Sequence, residues 1–146
     1  MAIAQAMSTL FKKDALLGDH SLDTNAIYIA LYTSSATLNA TTDGYITANE
    51  VGNGNGYATG GIPLANKTVT ENSTSGIFDS DDPQWNSATF TARGALIYNK
   101  TLGDASSNAR GAIAILNFGG DFSVSGGTFR IVFPNATKDT AIVRID

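Results

Sequence analysis

Residues 26–33 read AIYIALYT. Ile27, Ile29 and Leu31 alternate with Tyr28, Ala30 and Tyr32, a period of two. Successive side chains of a strand point to opposite faces, so this alternation fits a strand and not a helix. Both sets are apolar or aromatic, whereas a strand with one wet face carries polar residues at every second position. The stretch therefore predicts a central strand covered on both sides.

The same period recurs downstream. Strands are predicted in IPLANKTVT (62–70), SGIFD (75–79), SATFTARGALIYN (87–99), GAIAILNF (111–118), GTFRIVF (127–133) and TAIVRI (140–145). Pro63 has no amide hydrogen, which restricts it to a strand start or a sheet edge. Gly94 marks a bulge or bend that divides 87–99 in two. GDASSNARG (103–111) and GGDFSVSGG (119–127) read as glycine-bounded loops or hairpins. Counting the divided strand twice gives about eight. The expected fold class is all-β, a single jelly-roll-like β-sandwich.

Upstream of AIYIALYT the period changes. Residues 2–17 read as one amphipathic helix, with Ile3, Met7, Leu10, Phe11 and Leu17 on one side and Lys12, Lys13 and Asp14 near the other. Gly18 is placed to end it. The expected organisation is an N-terminal helical arm over 1–18 and a sandwich over 19–146. The arm either covers part of the sheet or docks on a neighbouring subunit.

Composition agrees with a β protein. Of 146 residues, 42% are hydrophobic and only 15% charged, against about 25% charged in typical soluble domains. Thr, Ser, Asn and Gly supply the polar character. Thr suits a pleated surface, and Asn and Gly suit turns. The formal net charge is −4 and the only adjacent basic pair is Lys12-Lys13. Nucleic-acid binding needs a basic face, so no nucleic-acid partner is expected. No membrane partner is expected either, since basic clusters and a span of ~20 apolar residues are both lacking. The absence of Cys removes disulfides, thiolate metal sites and cysteine nucleophiles. The N-terminus is apolar first and basic second, the reverse of a secretory signal. Asn-x-Thr sequons at Asn39, Asn66, Asn72, Asn99 and Asn135 follow from a chain rich in both residues.

Residues 49–61, NEVGNGNGYATGG, raise the question of phosphate binding. Gly52, Gly54 and Gly56 lie two apart, which fails the dinucleotide spacing, and a strand follows where a helix is required. No Gly-Lys-Ser/Thr follows. Just before, TANE (47–50) matches a capping box in which Thr47 and Glu50 cap each other. The expectation is one capped turn, then an irregular loop carrying Tyr57.

Catalytic signals are sparse. The chain has one His, His20, between Asp19 and Ser21, and two Glu, Glu50 and Glu71. No G-x-S-x-G elbow is present, and sequence neighbours rarely converge into a triad. His20 reads as a surface residue. Asp79, Asp81 and Asp82 in DSDDPQW form the densest acidic cluster and could offer oxygens to Ca²⁺; Pro83 breaks the EF-hand pattern, which leaves a site built from scattered loops or a solvated turn. No enzyme activity and no cofactor are expected. Tyr28, Tyr32 and Tyr98 fall in strands, whereas Tyr57 and Trp85 fall in loops and are the better interface candidates.

The string ANEV, GYATGG, NKTVT, FD, DD, W, ATFTARGALIY, from Ala48 to Tyr98, resembles small accessory virion proteins of tailed bacteriophages. The resemblance continues more loosely through AIAILNFGGDFSVSGGTFRIVF and covers well over half the chain. It implies a structural protein of the virion, assembled in the bacterial host cytoplasm. The expected role is a head decoration or cement protein, a homo-oligomer (trimer) clamping the major capsid protein. Ile3, Met7, Leu10 and Phe11 on the helix, with Tyr57 and Trp85 in the loops, are the candidate contacts. The alternative is a tail or fibre component that binds a host glycan through Tyr57 and Trp85 beside the aspartates. A third is a carbohydrate-active enzyme using Glu50 or Glu71.

Overall fold

The computed structural model of the protein describes residues 2–146. Among them eight strands occur in chain order: β1 (Ala6–Met7), β2 (Ile27–Tyr32), β3 (Ile62–Pro63), β4 (Thr68–Asn72), β5 (Ser75–Asp79), β6 (Gln84–Asn99), β7 (Ala112–Arg130) and β8 (Val143–Ile145). Helix α1 (Thr9–Leu16) follows β1, and helix α2 (Lys100–Ala105) follows β6. The strands form two antiparallel sheets, ordered β1-β7-β6-β2-β3 and β4-β5-β8. The chain is mostly β, as its composition predicts.

β2 lies inside the larger sheet, between β6 and β3. Its two faces enter two different cores. Ile27, Ile29 and Leu31 join a cluster with Phe11, Phe78 and Trp85. Ala30 and Tyr32 join a second cluster with Ile3, Leu38 and Tyr98. β6 divides the same way, with Ala95 and Ile97 in the first and Leu96 and Tyr98 in the second. The larger sheet is therefore a middle layer, which is why AIYIALYT has no polar face. Each fully buried aliphatic side chain of this kind contributes about 1.5–3 kcal/mol.

Residues 2–17 are not one helix. Ile3 bridges in parallel to Leu38, and Ala6 and Met7 pair with Ile115 and Ala114 of β7. Only Thr9–Leu16 is helical, opened by Ser8, whose Oγ accepts from the Phe11 N–H. The extended segment covers the outer edge of β7, whose amides and carbonyls would otherwise be unpaired. That outweighs helix propensity over six residues. Gly18, at φ +79, ends α1 as expected. Asp14, read as outward-facing, is buried and pairs with Arg110, which also reaches Asp19 at 2.5 Å.

The stretch 62–70 divides at a corner. Ile62 and Pro63 form an edge of the larger sheet, Asn66 turns at φ +52, and Thr68 begins the smaller sheet. The bulge expected at Gly94 is present, but β6 continues through it undivided, and GGDFSVSGG is neither a loop nor a hairpin. β7 runs through it, paired to β6 with register shifts. Between Gly94↔Asn117 and Ala92↔Phe122, Arg93 alone on β6 opposes Phe118–Asp121 on β7. The ion pair Arg93–Asp121 closes this wide bulge at 2.9 Å. Glycines inserted in a strand commonly mark such bulges, and here they curl the ribbon. The rings of Phe118 and Phe129 lie 6.1 Å apart, whereas eleven residues of straight strand would separate them by about 36 Å.

Candidate functional site

The glycine-rich stretch that follows Glu50 is tied down by that residue. The backbone turn of TANE forms, with the Glu50 N–H donating to the Thr47 carbonyl at 3.2 Å. The capping box itself does not, because the Glu50 carboxylate has better donors. Oε2 accepts from the Tyr45 hydroxyl at 2.6 Å, and Oε1 from the Tyr57 hydroxyl and the Gly60 N–H, both at 2.7 Å. The Tyr57 hydroxyl in turn accepts from the Leu31 N–H of β2 at 2.9 Å. Burial, then the hydrogen bond to Glu50, raises the pKa of Tyr57 and of Tyr45 and keeps both hydroxyls as donors. Tyr98 donates to the Gly60 carbonyl at 2.7 Å and stacks on Tyr45 at 5.0 Å. The loop is thus fastened to β2 and β6. Glu50, half-buried and fully engaged, holds structure together.

Tyr57 and Trp85 are each 3% exposed, stacked with ring centroids 6.3 Å apart. Neither offers a face to a sugar or to a partner, contrary to expectation, and Trp85 lies in β6 opposite Phe129 and not in a loop. The curl of β6 and β7 closes over them. They begin a chain of rings that continues through Phe90 and Phe129 to Phe118 and Phe122. Ile3 and Phe11 are likewise buried in this chain's own cores, and Met7 and Leu10 are half-buried. The six residues expected at an interface therefore present no common free face.

The aromatic chain opens to solvent at its far end. There β7 and the segment after it line a groove of about 460 Å3 with Phe118, Phe122, Val124, Phe129, Ile131 and Val132. Phe122 is 54% and Val132 72% exposed. Its one charge, Arg130, is held by Asp82 at 2.8 Å. The glycines that bound 119–127 favour a loop or hairpin there, and that expectation hides this surface. The alternation of Phe118, Phe122 and Val124 with Ser123 and Ser125 was the available signal.

The remaining candidates do not converge. Asp81 accepts from the Asn66 amide, Asp82 accepts from Arg130 and the Phe133 N–H, and Asp79 lies in β5 beside Thr68. Among the described residues no three His, Asp or Glu side chains are grouped to hold a metal ion. His20, read as a surface residue, is half-buried edge-on to Phe11 at 4.8 Å, and its Nδ1 lies 3.2 Å from the Asn99 amide. Burial lowers its pKa, with the Asp14 carboxylate pulling the other way. Among the described residues no helix is long and apolar enough to cross a membrane.

Trp85 supplies a first expected result. Its buried Nε1–H has no acceptor among the described residues. Phenylalanine there removes an unpaired donor, worth about 1–3 kcal/mol, while leaving a small void. Trp85→Phe is expected to cost under about 1.5 kcal/mol, and Trp85→Ala about 3–5 kcal/mol. Urea unfolding of both variants checks the difference; equal losses would contradict it.

Compared with protein-family models, with curated proteins and with solved structures, the chain matches none.

Proposed function

We propose that the protein is a structural virion protein of a tailed phage, a head decoration or cement protein that docks on the major capsid protein. The observation that carries the reading is the open apolar groove on the curled ribbon. Phe122 and Val132 stand out from a wall that also holds Phe118, Val124, Phe129 and Ile131, with its one charge already paired. Contiguous exposed apolar surface of this kind marks association more often than chemistry. The string that resembles accessory virion proteins favours the same reading, and its residues build the Glu50 cluster and the buried Tyr57–Trp85 stack. Weak contacts suffice for such a role, because a homo-oligomer, a trimer in this proposal, engages several lattice subunits together. The jelly-roll-like form of the sandwich belongs to the same proposal. The tail or fibre alternative loses its sugar platform with the burial of Tyr57 and Trp85.

Virion incorporation tests the reading. Wild-type chain is expected in purified heads in many copies, by quantitative mass spectrometry. Phe122→Asp is expected to melt within about 1 kcal/mol of wild type, because the side chain is exposed, and to fall at least about tenfold in heads. Absence of the wild-type chain from heads, or incorporation of Phe122→Asp at wild-type levels, would reject it.

A further inference from the structure

The two sheets end differently. The larger one is bounded by β1 and β3, each two residues long, and β3 contains Pro63. Short strands and proline are the usual ways to blunt an edge. The smaller sheet ends in β4, five residues long, exposed at every position and paired only to β5. β4 has no proline, and Val69, its second residue, is 52% exposed. A strand of this kind is a template for another strand.

The sequence of the edge is Lys67-Thr68-Val69-Thr70-Glu71. Read against its own reverse, Val69 meets Val69, Thr68 meets Thr70, and Lys67 meets Glu71 on either side. An antiparallel pairing of two copies centred on Val69 therefore sets opposite charges directly across from one another twice. Centring on Lys67 or Glu71 instead sets like charges across, and centring on Thr70 sets Glu71 against Val69.

Hydrogen bonding selects the same register. β4 and β5 are joined by a two-residue turn, Ser73-Thr74, with Asn72 opposite Ser75 and Ser73 at φ +57. In such a hairpin the flanking residues exchange hydrogen bonds, and bonded and non-bonded pairs then alternate. Asn72, Thr70 and Thr68 thus turn their N–H and C=O groups toward β5. Glu71, Val69 and Lys67 turn theirs toward the open edge. Centring on Val69 places these three outward residues opposite the same three of a second copy. Every free backbone group of the edge then gains a partner. The Lys67 ammonium already donates to the Asn25 carbonyl, and an ammonium has two further N–H donors for a carboxylate.

We propose that β4 is a self-association edge, joining two copies of this chain across a two-fold axis at Val69 into one continuous six-stranded sheet. The occupant is a second copy because the edge is complementary to itself in both charge and backbone pattern. The contact is isologous and stands apart from the virion reading. A lattice contact through the ribbon groove leaves it unchanged, and a three-fold contact elsewhere combines with it into an assembly of even number.

Charge reversal tests it. Light scattering on purified wild-type chain at about 100 µM, a concentration suited to a small interface, is expected to give an even number of 15.2-kDa copies. Lys67→Glu sets Glu against Glu71 of the partner copy, and Glu71→Lys sets Lys against Lys67 of the partner copy. Each is expected to weaken association roughly tenfold or more and to halve the copy number. The double variant, with the charges exchanged, is expected to restore it. An equimolar mixture of the two single variants is expected to pair with each other, since every charge then faces its opposite. Val69→Pro removes an outward N–H and no bond to β5, so it is expected to dissociate the pair with the far-UV circular dichroism of the fold retained. A monomeric or odd-numbered wild type, association unchanged by the single reversals, no rescue by the double variant, or a folded Val69→Pro that still pairs would each overturn the proposal.

Discussion

Replacing Gly61 by alanine is expected to leave little folded protein. Gly61 sits at φ +80, a conformation that costs a side-chain-bearing residue about 1–2 kcal/mol. The larger problem is space. A Cβ at this position would lie 1.8 Å from the Ile29 carbonyl oxygen and 2.6 Å from its carbon. Those atoms belong to β2, held on one side by β6 and on the other by β3. A central strand cannot withdraw without breaking its ladders, so the loop must lift instead. Lifting it threatens the Gly60 N–H bond to Glu50 and the Tyr98 bond to the Gly60 carbonyl. The expected loss exceeds about 4 kcal/mol, the range reserved for a few structural mechanisms. Gly52→Ala is the control, because nothing lies within 4 Å of a Cβ there and its φ is not positive. Soluble yield and urea unfolding separate the two. A Gly61→Ala variant as stable as Gly52→Ala would mean that the loop does not press on β2.

The second large effect is expected at Glu50. Alanine there strips the acceptor from two tyrosine hydroxyls and one backbone N–H at once. Tyr57 is 3% exposed, so its hydroxyl has little access to water as a substitute. Hydrogen bonds to charged groups contribute about 1.5–3 kcal/mol each, and they are not additive in a shared cluster. Glu50→Ala is expected to cost about 3 kcal/mol, and Glu71→Ala, on the exposed edge, under about 0.5 kcal/mol. Thermal melts of the two variants check the contrast. A catalytic Glu50 would give the opposite signature, lost activity with stability kept.

The central strand was readable from its residues because burial on both faces leaves a plain mark, apolar side chains at odd and even positions alike. Gly94 was readable as a bulge and Pro63 as an edge for equally local reasons. The N-terminus was misread because Ile3, Met7, Leu10 and Phe11 satisfy a helical period while two of them serve other ends. Ile3 packs beside Gly94 and Met7 pairs with β7. That preference depends on an open edge more than a hundred residues away, which no local window contains. GGDFSVSGG was misread because glycine marks both turns and bulges. Only the partner strand decides between them. The Tyr57–Trp85 stack and the Glu50 cluster share this origin. Their residues were visible as aromatics and a carboxylate, but convergence across the chain was not.

The pairing of β1 with β7 also bears on how the chain is made. Ala6 and Met7 are synthesised more than a hundred residues before their partners Ile115 and Ala114. At synthesis rates of about 5–20 residues per second, the N-terminal segment waits on the order of ten seconds for the strand it completes. In that interval the cores that Phe11 and Ile3 enter lack Ile113 and Ile115. The larger sheet cannot take up β1 until Ile115 has been made, and this dependence on distant contacts places the chain among slow folders.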